Sequence, residues 1–208
     1  MKKWLFSIVL FTWAGFASAQ VQLSVEQQKE LISSVTKITS SMQTMKCNFI
    51  QQKTTAMLME PTVSKGVMYY VSPDKMRWEY IEPYSFALVF NGEKIIRIRE
   101  GKAEVLEANQ GKMYKSLADL MIGCVLGNKL FDTSAFDMVF YDEGSFWKME
   151  MTPKRRDMKR MINQLVFCFD KTKSIVSQVE YIESNGDTTM IRFEDVQMNE
   201  IVETSLFP

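Results

Sequence analysis

Four groups of side chains in this sequence could do chemistry: paired carboxylates, three cysteines, a basic run, and a large stock of methionine and aromatic residues. The chain has no histidine. Ser-His-Asp and Cys-His nucleophile systems, the H-E-x-x-H zinc site and any histidine general base are therefore impossible within it. No G-x-G-x-x-G, P-loop or G-x-S-x-G pattern is present. Asp142/Glu143 and Glu194/Asp195 could do glycosidase-type acid–base work only if both members faced one cleft. They fall at turns or strand ends, where charged side chains face water, so the pattern argues against an enzyme. Cys47, Cys124 and Cys168 are odd in number, have no C-x-x-C spacing and sit in apolar or alternating contexts. They read as buried thiols acting as small hydrophobes, and no pairing can be assigned from sequence. No cofactor and no metal is expected.

What is plentiful is bulky apolar surface: 16 Met, 14 Phe, 7 Tyr and 4 Trp. Methionine is unbranched and polarizable, so it fills irregular gaps and lines surfaces that accept variable ligands. Two apolar helical stripes face about ten strands that each carry an apolar side. Two short helices are too few to fill the concavity of so large a curved sheet, and the unfilled part would be a pocket for an apolar ligand.

The elements that position this surface centre on residues 66–101. Alternation places successive side chains on opposite faces of a strand. Over 75–80 one side is Met76, Trp78 and Tyr80, and the other is Lys75, Arg77 and Glu79. Over 86–90 both sides are apolar, with Phe86, Leu88 and Phe90 the larger set. Over 95–99 the cleaner apolar side is Ile96 and Ile98, opposite Arg97 and Arg99. Asn91-Gly92 between two such runs is a strong hairpin signal, because the central residues of a type I′ turn need positive φ.

Before this meander, Ser24 and Gln27 form a capping box that opens a helix. Leu31, Val35, Ile38, Met42 and Met45 continue it as one stripe. Strands follow at 47–53 and 63–71. After the meander come a strand at 103–107 and a helix at 116–126 capped by Ser116, with Leu120 and Met121 on its apolar stripe. Strands at 136–141, 146–152, 163–170, 174–182 and 188–194 complete one antiparallel sheet. The basic run 154–160 is a loop, and the tail 196–208 has no clear period.

Residues 1–19 read as a signal peptide, with Lys2 and Lys3, an apolar core and an Ala17-Ser18-Ala19 cleavage site. That core is shorter than the ~20 residues a membrane span needs. The remainder, 20–208, is sized for one domain. Basic and acidic side chains balance at 25 each, and losing Lys2 and Lys3 leaves a slight acidic excess. Nucleic acid is therefore not an expected partner.

The order of these segments resembles the LolA-type family of periplasmic outer-membrane lipoprotein carriers. The resemblance rests on Phe49-Ile50-Gln51-Gln52, on Gly66 and on Tyr70-Val71-Ser72-Pro73-Asp74-Lys75-Met76-Arg77-Trp78-Glu79-Tyr80, followed by Pro83 and Asn91-Gly92. Weaker echoes are Leu165, Phe169-Asp170, residues 188–193, Asn199 and Phe207. It implies a mainly β, single-domain, incomplete antiparallel β-barrel (a half-barrel) whose concave apolar face is covered by helices. It also implies a monomeric, non-enzymatic carrier, exported to the periplasm by a cleaved signal peptide. Such a carrier takes the acyl chains of lipoproteins from an inner-membrane ABC exporter and delivers them to an outer-membrane acceptor. The expected cavity wall is Met42, Phe49, Met76, Trp78, Tyr80, Phe86, Leu88, Phe90, Ile96 and Ile98, with Leu120 and Met121 from the second helix. One departure stands out: family members carry an arginine directly before the meander proline that latches the helical lid, and here that place is Ser72.

Three other readings compete. The same fold could serve as a periplasmic lipid or amphiphile sensor, or as a protein-interaction module, without transport. It could be a filled sheet whose contact surface is the basic run 154–160. Least favoured is a carboxylate enzyme acting on lipid or glycan.

Overall fold

Antiparallel pairing organises the chain from its first strand to its last. The computed structural model describes residues 20–208 apart from 59, 93, 107–130 and 132. The signal peptide expected at 1–19 and the helix expected at 116–126, with Leu120 and Met121, lie outside the described residues. A short β1 (Val21–Gln22) precedes helix α1 (Val25–Ser40). The first meander is β2 (Thr44–Thr54), β3 (Thr62–Val71), β4 (Lys75–Glu82), β5 (Phe86–Asn91), β6 (Lys94–Arg99) and β7 (Lys102–Val105). The second is β8 (Phe136–Asp142), β9 (Phe146–Pro153), β10 (Ile162–Asp170), β11 (Ile175–Glu183) and β12 (Thr188–Met198), with a one-turn helix α2 (Arg156–Lys159) between β9 and β10.

Among the described residues, twelve strands form one sheet in the order β1-β8-β9-β10-β11-β12-β2-β3-β4-β5-β6-β7. The two meanders join where β12 pairs with β2, from Thr188↔Thr54 to Met198↔Met45. The end strands β1 and β7 do not pair with each other, so the sheet is open. Sheets of more than about ten twisted strands curl instead of lying flat. Accordingly, Phe140 on β8 and Ile95 on β6, far apart in strand order, belong to the same buried cluster. α1 adds Leu31 and Val35 to that cluster and so covers the same face.

Local chemistry explains where α1 starts and stops. Ser24 Oγ accepts from the Gln27 backbone N–H while Gln27 Oε1 accepts from the Ser24 N–H, the reciprocal cap expected. At the other end Thr39, Ser40 and Ser41 each donate a hydroxyl to a backbone carbonyl three or four residues back. Such hydroxyls compete with helix propagation. The helix ends at Ser40, so Met42 and Met45, expected on its stripe, instead lie in the link and on β2, both still buried in the main cluster.

Two other boundaries differ from the sequence expectation for physical reasons. β12 runs to Met198, past the expected end at 194. Its register slips between Glu194 and Gln197, with Asp195 at φ 52°, so alternation is broken just where the pattern is lost. The hairpin between β5 and β6 closes on the pair Asn91↔Lys94, which makes Gly92, at φ 62°, the first turn residue in place of Asn91. Asn91 stays in the strand, and its Nδ2 donates to the carbonyl of Phe207 at 3.1 Å.

Candidate functional site

The covered face of the sheet is the candidate site. Met45, Cys47 and Phe49 point into it from β2; Met68 and Tyr70 from β3; Met76 and Trp78 from β4; and Leu88 and Phe90 from β5. Tyr80 and Phe86 are partly buried against the same cluster. The second meander adds as much, including Phe140, Met149, Phe167 and Phe193. These four were absent from the expected wall, although alternation marks them as clearly as it marks Trp78. Among the described residues, the expected positions Met42, Phe49, Met76, Trp78, Tyr80, Phe86, Leu88 and Phe90 thus share one face.

Ile96 and Ile98 do not. β5 and β6 pair as Leu88↔Arg97 and Val89↔Ile96, so Ile96 stands behind the sheet with Val89. There Val89, Ile96 and Phe207 form a second buried cluster, with Ile98, Val202 and Leu206 packed against it. The sequence rule that the apolar side faces the main core fails here because the C-terminal tail supplies a second apolar partner. Arg77 lies on this outer side as expected, donating to Glu79 at 2.8 Å and to the Leu206 carbonyl at 3.2 Å. On β6 it is Ile95 that joins the main cluster. Arg97 shares the covered side at the sheet's margin, where it pairs with Glu104 at 2.6 Å.

An aromatic stack forms the middle of the wall. Phe49 and Trp78 lie with centroids 4.0 Å apart and planes 24° apart. Tyr80 meets Phe49 edge-on at 5.3 Å, and Phe193 meets Trp78 edge-on at 6.2 Å. Gly66 makes this possible: it sits between Phe49 and Tyr80 in the register of β2, β3 and β4. A Cβ there would run into the Phe49 ring and the Glu79 carbonyl oxygen. The missing side chain lets Phe49 reach across β3 to Trp78. Such aromatic pairs add ~0.5–1.5 kcal/mol each beyond their buried area.

Toward the β2–β3 turn the same face becomes polar. Tyr80 Oη donates to Gln51 Oε1 at 2.9 Å, and Lys53 Nζ meets Glu183 Oε1 at 3.0 Å. Burial is the main cause that pushes the Tyr80 hydroxyl pKa up, whereas the hydrogen bond to Glu183 is the main cause that raises Lys53. Thr189 is 0% exposed, and its Oγ1 has no hydrogen-bond partner. A buried hydroxyl left unpaired costs roughly 1–3 kcal/mol.

The other chemical candidates take ordinary places. Cys47 and Cys168 are free and buried, and burial pushes their thiols up to about 12 and about 11. Cys124 lies outside the described residues. Lys171 holds Asp142 at 2.6 Å and, as the first cause, lowers its pKa. Lys154 pairs with Asp137, and Arg155 with Asp157 in the one-turn helix, so the basic run is partly neutralised. At Ser72, where the resemblance implies an arginine, the backbone N–H donates to the Gln43 carbonyl at 2.8 Å. This ties β3 to the link after α1 by main chain. Among the described residues no cluster of histidine, cysteine, aspartate or glutamate could hold a metal ion, and no helix is long and apolar enough to cross a membrane.

Comparison with known proteins adds the family. The model of the family described as outer membrane lipoprotein carrier protein LolA matches residues 40–208. The chain belongs to the LolA family. An outer-membrane lipoprotein carrier protein of Dechloromonas aromatica (strain RCB) is 27% identical over 165 residues, 79% of this chain and 76% of that one. Among solved structures, MucB superposes with a TM-score of 0.53 at 9% identity, covering 88% of this chain and 62% of that chain. The complex of Pseudomonas aeruginosa MucA and MucB gives 0.50 at 11% identity, covering 88% and 61%. The LolA-family chain therefore spans about three fifths of the MucB chain, and at that identity the likeness concerns the fold alone.

Proposed function

We propose that this protein binds the acyl chains of lipoproteins on the covered face of its open sheet and carries them between membranes through the periplasm. The observation that carries the reading is the continuous apolar wall, rich in methionine and aromatic rings, on a sheet that never closes. An acyl chain gains ~0.8 kcal/mol for each CH₂ removed from water, so it cannot cross an aqueous space unprotected. A wall of Met68, Met76 and Met149 among aromatic rings adapts to chains of differing length better than branched side chains would. Family membership supports lipoprotein binding. In this reading residues 1–19 direct export, an inner-membrane ABC exporter loads the cargo, an outer-membrane acceptor receives it, and no catalytic group is needed.

A release assay tests the transport step. Spheroplasts carrying newly made, outer-membrane-destined lipoprotein are incubated with the purified protein. The reading expects lipoprotein to leave the membrane as a soluble one-to-one complex. Acyl binding without any release would instead favour a lipid sensor of the same fold.

A further inference from the structure

The polar corner of the covered face differs in chemistry from the apolar wall beside it, with Tyr80 bonded to Gln51 and Lys53 to Glu183. Thr189 on β12 is flanked by Tyr181 on β11 and Lys53 on β2. One step along the strands, Ile191 pairs with Gln51, whose Oε1 accepts from Tyr80. Tyr181 is itself partly buried against the main cluster. Alternation puts the Thr189 side chain on the side of Ile191 and Phe193, both in the main cluster, so it belongs to the covered face. There it is fully buried and unpaired, whereas buried hydroxyls are nearly always paired. Lys53, which pairs across from Thr189, is neutralised by Glu183. Among the described residues, the Thr189 hydroxyl is thus a neutral donor beside a cation that is already paired.

Resting on the acyl-binding reading above, we propose that this corner is a polar subsite for the ester or amide carbonyls that join acyl chains to their head, with Thr189 Oγ1 as donor. A neutral carbonyl oxygen fits a neutral hydroxyl; a phosphate or carboxylate would call for an unpaired cation. The chains would then run from the corner over Phe49 and Trp78. The subsite fixes which end of the cargo lies at the β2–β3 end of the sheet, and selects O-acylated or N-acylated amphiphiles over plain hydrocarbon or ether-linked ones.

The test uses the full chain and two probes, a short-chain diacylglycerol and its dialkyl-ether counterpart, which differ only in the carbonyls. Binding of each is measured to wild type, Thr189→Val and Thr189→Ser. The wild type should prefer the ester by about fivefold to tenfold, the size of one neutral hydrogen bond. Thr189→Val should bring the ester-to-ether affinity ratio to about one, and Thr189→Ser should keep the wild-type ratio. Equal affinity of wild type for both probes, or a preference that survives in Thr189→Val, overturns the subsite and leaves the carrier reading standing. Failure of the wild type to bind either probe overturns both.

Discussion

The Phe49 ring lies across the bare backbone of Gly66. Any side chain at 66 would occupy the space of that ring and press on the Glu79 carbonyl oxygen. This contact sets the wall, because Phe49 then reaches Trp78 at a centroid distance of 4.0 Å. Gly66→Ala should destabilise the protein by roughly 3 kcal/mol, an overpacking effect at the upper end of its usual range. Urea unfolding measures it. Phe49→Leu in the Gly66→Ala background should recover part of the loss, whereas additive losses would show that the two residues are not coupled.

The two sides of β5 should respond differently to substitution. Leu88→Glu places a carboxylate in the apolar wall and should cut acyl binding at least tenfold or prevent folding. Leu88→Met conserves volume and should cost under about 1.5 kcal/mol of stability while keeping binding. Binding of a fluorescent fatty-acyl probe reads both. Ile96→Ala, on the opposite face of the sheet, should lower stability by about 2–4 kcal/mol and leave the probe's affinity unchanged.

The C-terminal tail acts as a strap on the back of the first meander. Phe207 is buried against Val89 and Ile96, and Arg77 and Asn91 hold the carbonyls of Leu206 and Phe207. Phe207→Ala should cost about 3 kcal/mol. It should also expose the tail to limited proteolysis and speed amide exchange in β5 and β6. Unchanged protection there would mean that the strap contributes nothing to the strands beneath it.

Stability should be flat from about pH 5 to pH 8, because the chain lacks the only side chain that normally titrates there. Lowered carboxyl groups such as Asp142 and Asp157 contribute above their unfolded pKa, and that contribution is lost only as pH falls through the lower folded values. Burial raises Cys47 to about 12 from 9.0, so the folded state binds its proton more tightly. That stabilisation is complete below pH 9 and falls by about 1.4 kcal/mol per pH unit between there and the folded value. Cys47→Ala should flatten this alkaline limb in urea melts recorded against pH. Native Cys47 and Cys168 should also resist iodoacetamide at pH 8 and react once urea unfolds the chain.

The sheet was legible because alternation persists: Met76, Trp78 and Tyr80 against Lys75, Arg77 and Glu79 is a pattern that only a half-buried strand needs. It misled at Ile96 and Ile98, where both faces are covered and polarity no longer distinguishes inside from outside. It was lost at 195–198, where a bulge changes the parity of β12. The polar corner left almost no trace in the sequence. Nothing about Thr189 marks it as buried without a partner, since that depends on which strands flank it. The departure at Ser72 was visible, but not its consequence, because the hydrogen bond there to Gln43 is made by main chain.

The most direct test of acyl binding on the covered face is native mass spectrometry of the protein purified from its own cell envelope, with organic extraction of whatever accompanies it. Acyl binding on this face predicts a bound acylated peptide or lipoprotein in the wild type and its loss in Leu88→Glu that still folds. A protein that emerges empty, and that also fails to bind an added fatty-acyl probe, would contradict it.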